Sequence, residues 1–595
     1  MPASPVLNSE GVVKVHVTAA GADVPPTVQF ISLTIHRAVN SVPWARLVVL
    51  DGDITDGSFD VADSARFAPG AEIGISLGYG ADETSVFKGV VMQLGLRITG
   101  DNDVRLIIDC RDKAAKMTIG RHSTNHVDKT DSAVMQTLIG NHGLTADVEA
   151  TPETHGGLVQ HYCSDWDFML TRAEANGQLV VVSDGKVSVK APDTSSEPAL
   201  EVTYGVDLIE FHGDIDARTQ LTAVKASSWD PKTQALIEAT GAAPSLGLQG
   251  DLAGSTLAQV ASPAEFLLCT TARQTQAVLK SWADAQRLKA ELARVRGRMK
   301  FQGSALAQPG STLQVARVGG RFNGKVFVSA VHHEVADGNW TTEVEFGLAP
   351  DWFIERPDVV APATSGLLPG VHGLQIGVVK KLDADPDGER RIQVAVQALD
   401  GANASVWARL AGFHASNTFG AFFVPEIGDE VILAYLNNDP CNPVVLGSVY
   451  SSKRPAAYEL TAENHTKAIV TRCKSKIEFD EDKKIITVTT PAKNQLVFSD
   501  DGKSILMKDQ NDNKVELNPG GITLDSPKDI KITAKGTITL DAVGKISITS
   551  KADVAAEGLN VACTAQVGFT GKGSATAELS AAGQTTVKGA MVMIN

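Results

Sequence analysis

Towards the end of the chain the apolar positions fall into a fixed beat. Between Gly521 and Val554 the triplets Ile522-Thr523-Leu524, Ile530-Lys531-Ile532, Ile538-Thr539-Leu540 and Ile546-Ser547-Ile548 recur every eight residues, followed by a weaker Val554-Ala555-Ala556. Pro527-Lys528-Asp529, Gly536 and Gly544 stand between them and are turn formers. In each triplet the outer two side chains share one face and the middle one takes the other, which is the period of a strand. A minimal strand plus a turn at constant spacing is the mark of a stacked array. Each octad offers two apolar side chains, too few to offset an ordering cost of about 1 kcal/mol or more per residue for the backbone. The pattern therefore needs neighbours that repeat it. They are either successive coils of one chain, a β-solenoid, or three identical chains wound about one axis. After Tyr458 the aromatic residues are Phe479, Phe498 and Phe569, so the core is thin. A thin core favours the intertwined form, which pairs edges that a short solenoid leaves open.

Upstream the pattern is mostly short alternating runs. Val13 to Val17, Phe30 to Ile35, Ala45 to Leu50, Ile73-Gly74-Ile75, Val86 to Val91 and Val104 to Asp109 read as a β-meander. Helical spacing predicts a short helix over Asp131 to Ile139 and a better defined one over Ser164 to Gly177. The second has Ser164 as N-cap, Asp165 and Asp167 at the positive end, a Trp166, Met169, Leu170 and Ala173 stripe, and Gly177 as terminator. A longer amphipathic helix is predicted over Gln276 to Arg296. Asn323-Gly324 reads as a hairpin turn between two strands. Residues 356–373, rich in Pro, Ala and Gly, read as a linker. Five strands between Leu374 and Tyr450 suit a small closed barrel of the OB type. Short β runs then recur every seven to ten residues (Ile477/Phe479, Ile486/Val488, Leu496/Phe498, Ile505/Met507, Val515/Leu517) and tighten into the octads. Beyond Val554 the phase is read as slipping (Leu559/Val561, Val567/Phe569), before the apolar Met591-Val592-Met593-Ile594-Asn595.

Composition narrows the function. The 595 residues are too many for one core. A formal charge of −15 excludes broad attraction to nucleic acid or anionic lipid. The N-terminus has neither a basic nor an apolar signal segment, and no apolar run is long enough to span a bilayer, so assembly in the cytoplasm is expected. Cys110, Cys163, Cys269, Cys441, Cys473 and Cys563 lack paired spacing and fit a reducing compartment.

Candidate chemistry is sparse. Gly319 to Val326 nearly spells a phosphate-binding loop, but it lacks the Ser or Thr for magnesium and leads into a strand. His122 and His126 have metal-ligand spacing without an acidic partner. His332 and His333, as strand neighbours, face opposite sides. Asp383, Asp385, Asp387 and Glu389 break the ligand order of a calcium loop and read as a polar hairpin turn. No catalytic residue, metal site or cofactor is assigned.

One long string resembles a known family. Gly373-Leu374-Gln375-Ile376-Gly377-Val378-Val379, Asp385-Pro386-Asp387-Gly388-Glu389-Arg390-Arg391-Ile392-Gln393-Val394, Val406-Trp407-Ala408-Arg409-Leu410, Phe423 to Val431 and Asn438 to Ser448 resemble the VgrG-type spike proteins of contractile injection systems. Ser164 to Leu170, with Asn176-Gly177, is similar to the helix motif of that family's phage-hub-like domain. The resemblance implies a mainly β protein in four parts. A hub of β-barrel-like subdomains with a few helices (1–355) is followed by the linker (356–373), an OB-fold collar (374–455) and an intertwined trimeric β-helix needle (456–595). The needle core is then Ile522, Leu524, Ile530, Ile532, Ile538, Leu540, Ile546 and Ile548. Met591, Val592, Met593, Ile594 and Asn595 become the platform for a PAAR-repeat tip protein. It also implies a homotrimer bound to inner-tube and baseplate proteins, carrying effectors and puncturing a target membrane, with no enzymatic activity. Neither a lysozyme-like insert nor a fused toxin is expected. The hub wording Phe67-Ala68-Pro69-Gly70, Gly78-Tyr79-Gly80 and Val86 to Gly89 leans towards an extracellular, phage tail-like particle over a type VI system. Two other classes stay open: a β-solenoid polysaccharide-degrading enzyme and a fibre-like receptor binder.

Overall fold

The computed structural model describes residues 2–6, 11–100, 103–399 and 404–594. The chain divides into two compact units, residues 1–449 and 450–595. Strands dominate both units, and four α-helices occur among the described residues. None of these helices is long and apolar enough to cross a membrane.

The first unit is organised by one large, mostly antiparallel sheet, 13-stranded among the described residues. The sheet follows from strict alternation. In Phe30–Ala38, Leu33 and Ile35 are fully buried while Thr34 and His36 are half-buried on the opposite face. Its longest bridging strand, Gly324–Ala336, serves two cores. Val326, Val328 and Val331 pack with Phe301 and Phe346, whereas Val335 joins the cluster around Phe67, Leu47 and Ile75. In sequence, a helical subdomain is inserted between the sheet strands Val104–Arg111 and Glu201–Thr203. Helices α1 (Asp131–Asn141) and α2 (Asp165–Ala175) bury Val134, Leu138, Met169 and Leu170 against the strands Leu179–Ser183 and Lys186–Lys190. As the sequence implied, Ser164 caps α2, its Oγ accepting from the Asp167 amide at 3.0 Å, and Gly177 takes φ +68° after the last turn.

Two local expectations are corrected, and one helix is added. The helix predicted over Gln276 to Arg296, α4, ends at Leu292, because Val295–Gln302 is claimed as a strand by Leu208–Ile215 and Asn339–Phe346. Val295 thus belongs to the sheet and not to the helical stripe. Asn323-Gly324 is not a two-residue turn: Val315 pairs with Gly324, and residues 317–323 form the loop. There the Asn323 side chain accepts from the Val318 amide at 2.8 Å. A fourth helix, α3 (Gly254–Ala261), precedes α4 and was not expected; it begins on glycine and has no side-chain cap.

The closed barrel is formed by Gln375–Lys381, Ile392–Val396, Ser405–Leu410, Glu430–Tyr435 and Pro443–Val449. Val379, Ile392, Val394, Ala408, Val431, Leu433 and Val445 fill it. The acidic turn closes one hairpin: Arg391 donates to Asp385 through Nη2 at 2.6 Å and through its amide at 3.1 Å, which holds Asp385 below the usual carboxylate range.

His333 provides the first unit with an acid-sensitive point. It is fully buried, its Nδ1 lies 3.0 Å from Thr342 Oγ1, and its Nε2 has no partner among the described residues. Burial first, then the charges of Arg37 and His332, push its pKa down to about 3. A histidine in the unfolded chain takes up its proton near pH 6.5. Stability therefore falls as pH drops from about 6.5 towards 3, by at most ~1.4 kcal/mol per pH unit. In urea titrations between pH 4.5 and 7.5, His333→Leu is expected to flatten this acid limb. An unchanged limb would rule out His333 as its source.

Candidate assembly surface

The second unit begins as a single antiparallel meander of seven five-residue strands, from Thr466–Val470 to Gly521–Asp525, each paired with the next. Five-residue strands joined by tight turns put every second side chain on the same face. The registers line these up into two apolar rows. One runs Ile469, Ile477, Val488, Leu496, Met507, Val515, Leu524; the other runs Phe479, Ile486, Phe498, Ile505, Leu517, Ile522. The described residues of this unit do not supply the second layer that such a face requires. Ile477, Phe479, Ile486, Val488, Phe498, Ile505, Met507 and Leu517 remain between 37 % and 57 % exposed. Leu496, Met507, Val515, Leu524 and Ile530 line a concavity of about 620 Å³ along one edge.

The eight residue positions named for the needle core divide here. Ile522 and Leu524 end the meander, opposite Leu517 and Val515. Ile530, Ile532, Ile538, Leu540, Ile546 and Ile548 form no strand pairing among the described residues and are all more than half exposed. Their backbone is nonetheless regular. Bends fall at 527–528, 535–536, 543–544, 551–552 and 559, each eight residues after the last. The phase slip read after Val554 is a single seven-residue step, from 559 to 566. Bends at 566–567, 574–575, 582–583 and 590–591 then resume the period of eight. The array thus continues to Met591, with weaker pairs such as Ala577/Leu579 and Thr585/Val587 in the positions held earlier by Ile538/Leu540. Met591, Val592, Met593 and Ile594 are exposed; Asn595 lies outside the described residues.

The remaining sequence candidates are placed singly. His126 is buried and stacks on Phe168 at 5.9 Å, whereas His122 is exposed at the other end of the same strand. Lys325, the lysine of the phosphate-loop look-alike, donates to the carbonyls of Thr194 and Ser196 at 3.1 Å each. Among the described residues, no three His, Cys, Asp or Glu side chains converge as metal ligands.

Residues 9–337, more than half of the chain, match the family model of the Alg8 N-terminal domain. The chain belongs to the Alg8 N-terminal domain family. Behind that domain, residues 375–450 match the type VI secretion system/phage-baseplate injector OB domain, and they coincide with the closed barrel. The chain thus joins an Alg8 N-terminal domain to an injector-type OB domain, the latter where the barrel string indicated one. Among curated relatives, it is 30 % identical over 116 residues to the type VI secretion system spike protein VgrG1c of Pseudomonas aeruginosa, covering 18 % of this chain and 16 % of that one. With VgrG4b of the same organism it shares 33 % identity over 130 residues, covering 20 % and 15 %. The chain therefore spans about a sixth of the length of these relatives. A solved tail protein from Neisseria meningitidis is similar at 13 % identity and TM-score 0.42, covering 58 % of this chain and 99 % of that one.

Proposed function

We propose that the protein is the non-enzymatic, trimeric spike of a contractile injection system. In this reading it joins the inner tube and baseplate to a PAAR-type tip, and carries effectors through a target membrane. The observation that carries the reading is the octad array, in which regular backbone and rows of exposed Ile and Leu occur without strand pairing among the described residues. Backbone N–H and C=O groups in regular conformation need partners, and three copies wound together supply both the hydrogen bonds and the second apolar layer. The same chain then has a mechanical role: local opening of the rod must break contacts of three copies at once. The hub (1–355), linker (356–373), collar (374–455) and needle (456–595) are its four working parts.

An extracellular, phage tail-like particle is the favoured setting. In support, the N-terminal half falls within a family model of its own, while the type VI spike relatives above match only about a fifth of the chain. A type VI spike is the second reading, favoured by the names of those same relatives. The test is fractionation: a tagged copy expressed in its own cells should sediment with sheathed particles released into the medium. Recovery in a cell-bound sheath complex favours the type VI reading, and recovery in neither overturns the spike assignment. At the tip, Met591→Ser/Val592→Ser/Met593→Ser/Ile594→Ser is expected to abolish pull-down of a PAAR protein while leaving the oligomeric mass unchanged. Retained binding would remove these residues from the platform.

A further inference from the structure

Between the barrel strands Ser405–Leu410 and Glu430–Tyr435 the chain makes an excursion over residues 411–429. It is a built structure. Ala415 and Gly420 form an antiparallel bridge, the Ser416 amide donates to the Phe419 carbonyl at 3.0 Å, and the Ala421 amide donates to the His414 carbonyl at 2.9 Å. Gly420 sits at φ +138°, where a Cβ would lie 2.7 Å from the His414 carbonyl oxygen, so the return requires glycine. What this scaffold displays is aromatic: Phe413, Phe419, Phe422 and Phe423 are 88 %, 65 %, 91 % and 65 % exposed. Residues 411–425 contain no Asp, Glu, Lys or Arg. Four phenylalanines at such exposure present roughly 600 Å² of apolar surface, as much as the largest patch on a typical soluble monomer.

The chemistry of the patch selects its occupant. Without charge it offers no electrostatic steering towards a strongly acidic or basic partner. At roughly 600 Å² it falls short of the ~800 Å² per side of a stable free-standing interface, so it needs a partner already held close. The barrel's last strand ends at Val449, and the unit carrying the octad array begins at Tyr450. Copies joined through their arrays hold their barrels at high effective concentration. We infer that the phenylalanine loop docks on the barrel of a neighbouring copy, sealing collar to collar. This rests on the three-copy reading of the tail.

The experiment uses the full chain with p-benzoylphenylalanine at position 422, expressed together with an isotopically heavy wild-type copy, irradiated after purification, and weighed by light scattering. The expected result is a three-copy mass with cross-links from position 422 to residues 374–449 of the heavy copy. A three-copy mass with cross-links confined to the labelled chain, or none, overturns the docking and leaves the tail reading intact. A one-copy mass overturns both. As an independent readout, Phe413→Ser/Phe422→Ser/Phe423→Ser should keep the three-copy mass and speed amide exchange in the barrel strands at least tenfold. Unchanged exchange contradicts the inference.

Discussion

Ile538→Asp is expected to convert the protein from three copies to one. In the proposed three-copy rod Ile538 takes an inner position of its octad; within a single chain it is about half exposed, so a lone copy tolerates a carboxylate there. In the wound rod the same position faces the axis in all three chains. Burying an uncompensated charge costs roughly 3–5 kcal/mol, and three carboxylates brought together repel one another. The sum exceeds what a thin core of Ile, Leu and Ala recovers. Thr539→Asp, one residue on and facing outwards, is the control and should leave the mass unchanged. If both variants assemble, or both fail, the inside and outside of the octad have been misassigned.

Asp131→Ala is expected to unfold the helical subdomain at room temperature or leave it marginal. Asp131 opens α1 and is 2 % exposed. Arg172 on α2 clamps it with two bonds, Nε at 2.6 Å and Nη2 at 2.9 Å. Asn176 Nδ2 donates at 3.0 Å, and His155 Nε2 lies 3.1 Å away. Burial drives the Asp131 pKa up; the bonds from Arg172, Asn176 and His155 outweigh it and hold the group below the usual carboxylate value. Because its folded pKa is depressed, Asp131 contributes stability above the unfolded value near 4 that is lost as pH falls through the folded one. Truncation leaves the partly buried Arg172 guanidinium, 20 % exposed, without its counter-charge, a loss of up to about 3 kcal/mol, the low end for a fully buried pair. Near-ultraviolet circular dichroism of Trp166, which packs in the same cluster, reads the effect. Wild-type stability would mean that water replaces the carboxylate.

What was legible in the sequence was whatever a local period or a local cap encodes. The octads, each of the five barrel strands and the Ser164 to Gly177 helix announce themselves through a local period or cap. The overrun of α4 is a case of sheet pairing overriding helical spacing: Val295 continues the apolar stripe, yet Ile215 of the strand Leu208–Ile215 claims it. Helix α3 was missed because Ala253 supplies no capping oxygen and Gly254 disfavours a helix start. The octads past Val554 were obscured because at least one member of each pair shrinks to Ala, Thr or Gly and one step has seven residues, while the bends that keep the period leave no apolar trace. His333, the Asp131 clamp and the exposed phenylalanine loop depend on chain segments far apart in sequence or on exposure, neither of which a periodicity carries.

Native mass spectrometry of the full-length chain at micromolar concentration tests the central claim most directly. Three copies, about three times 62.7 kDa, are expected, with residues 526–594 protected from protease. A single copy at 62.7 kDa, with that segment readily cut, would contradict it.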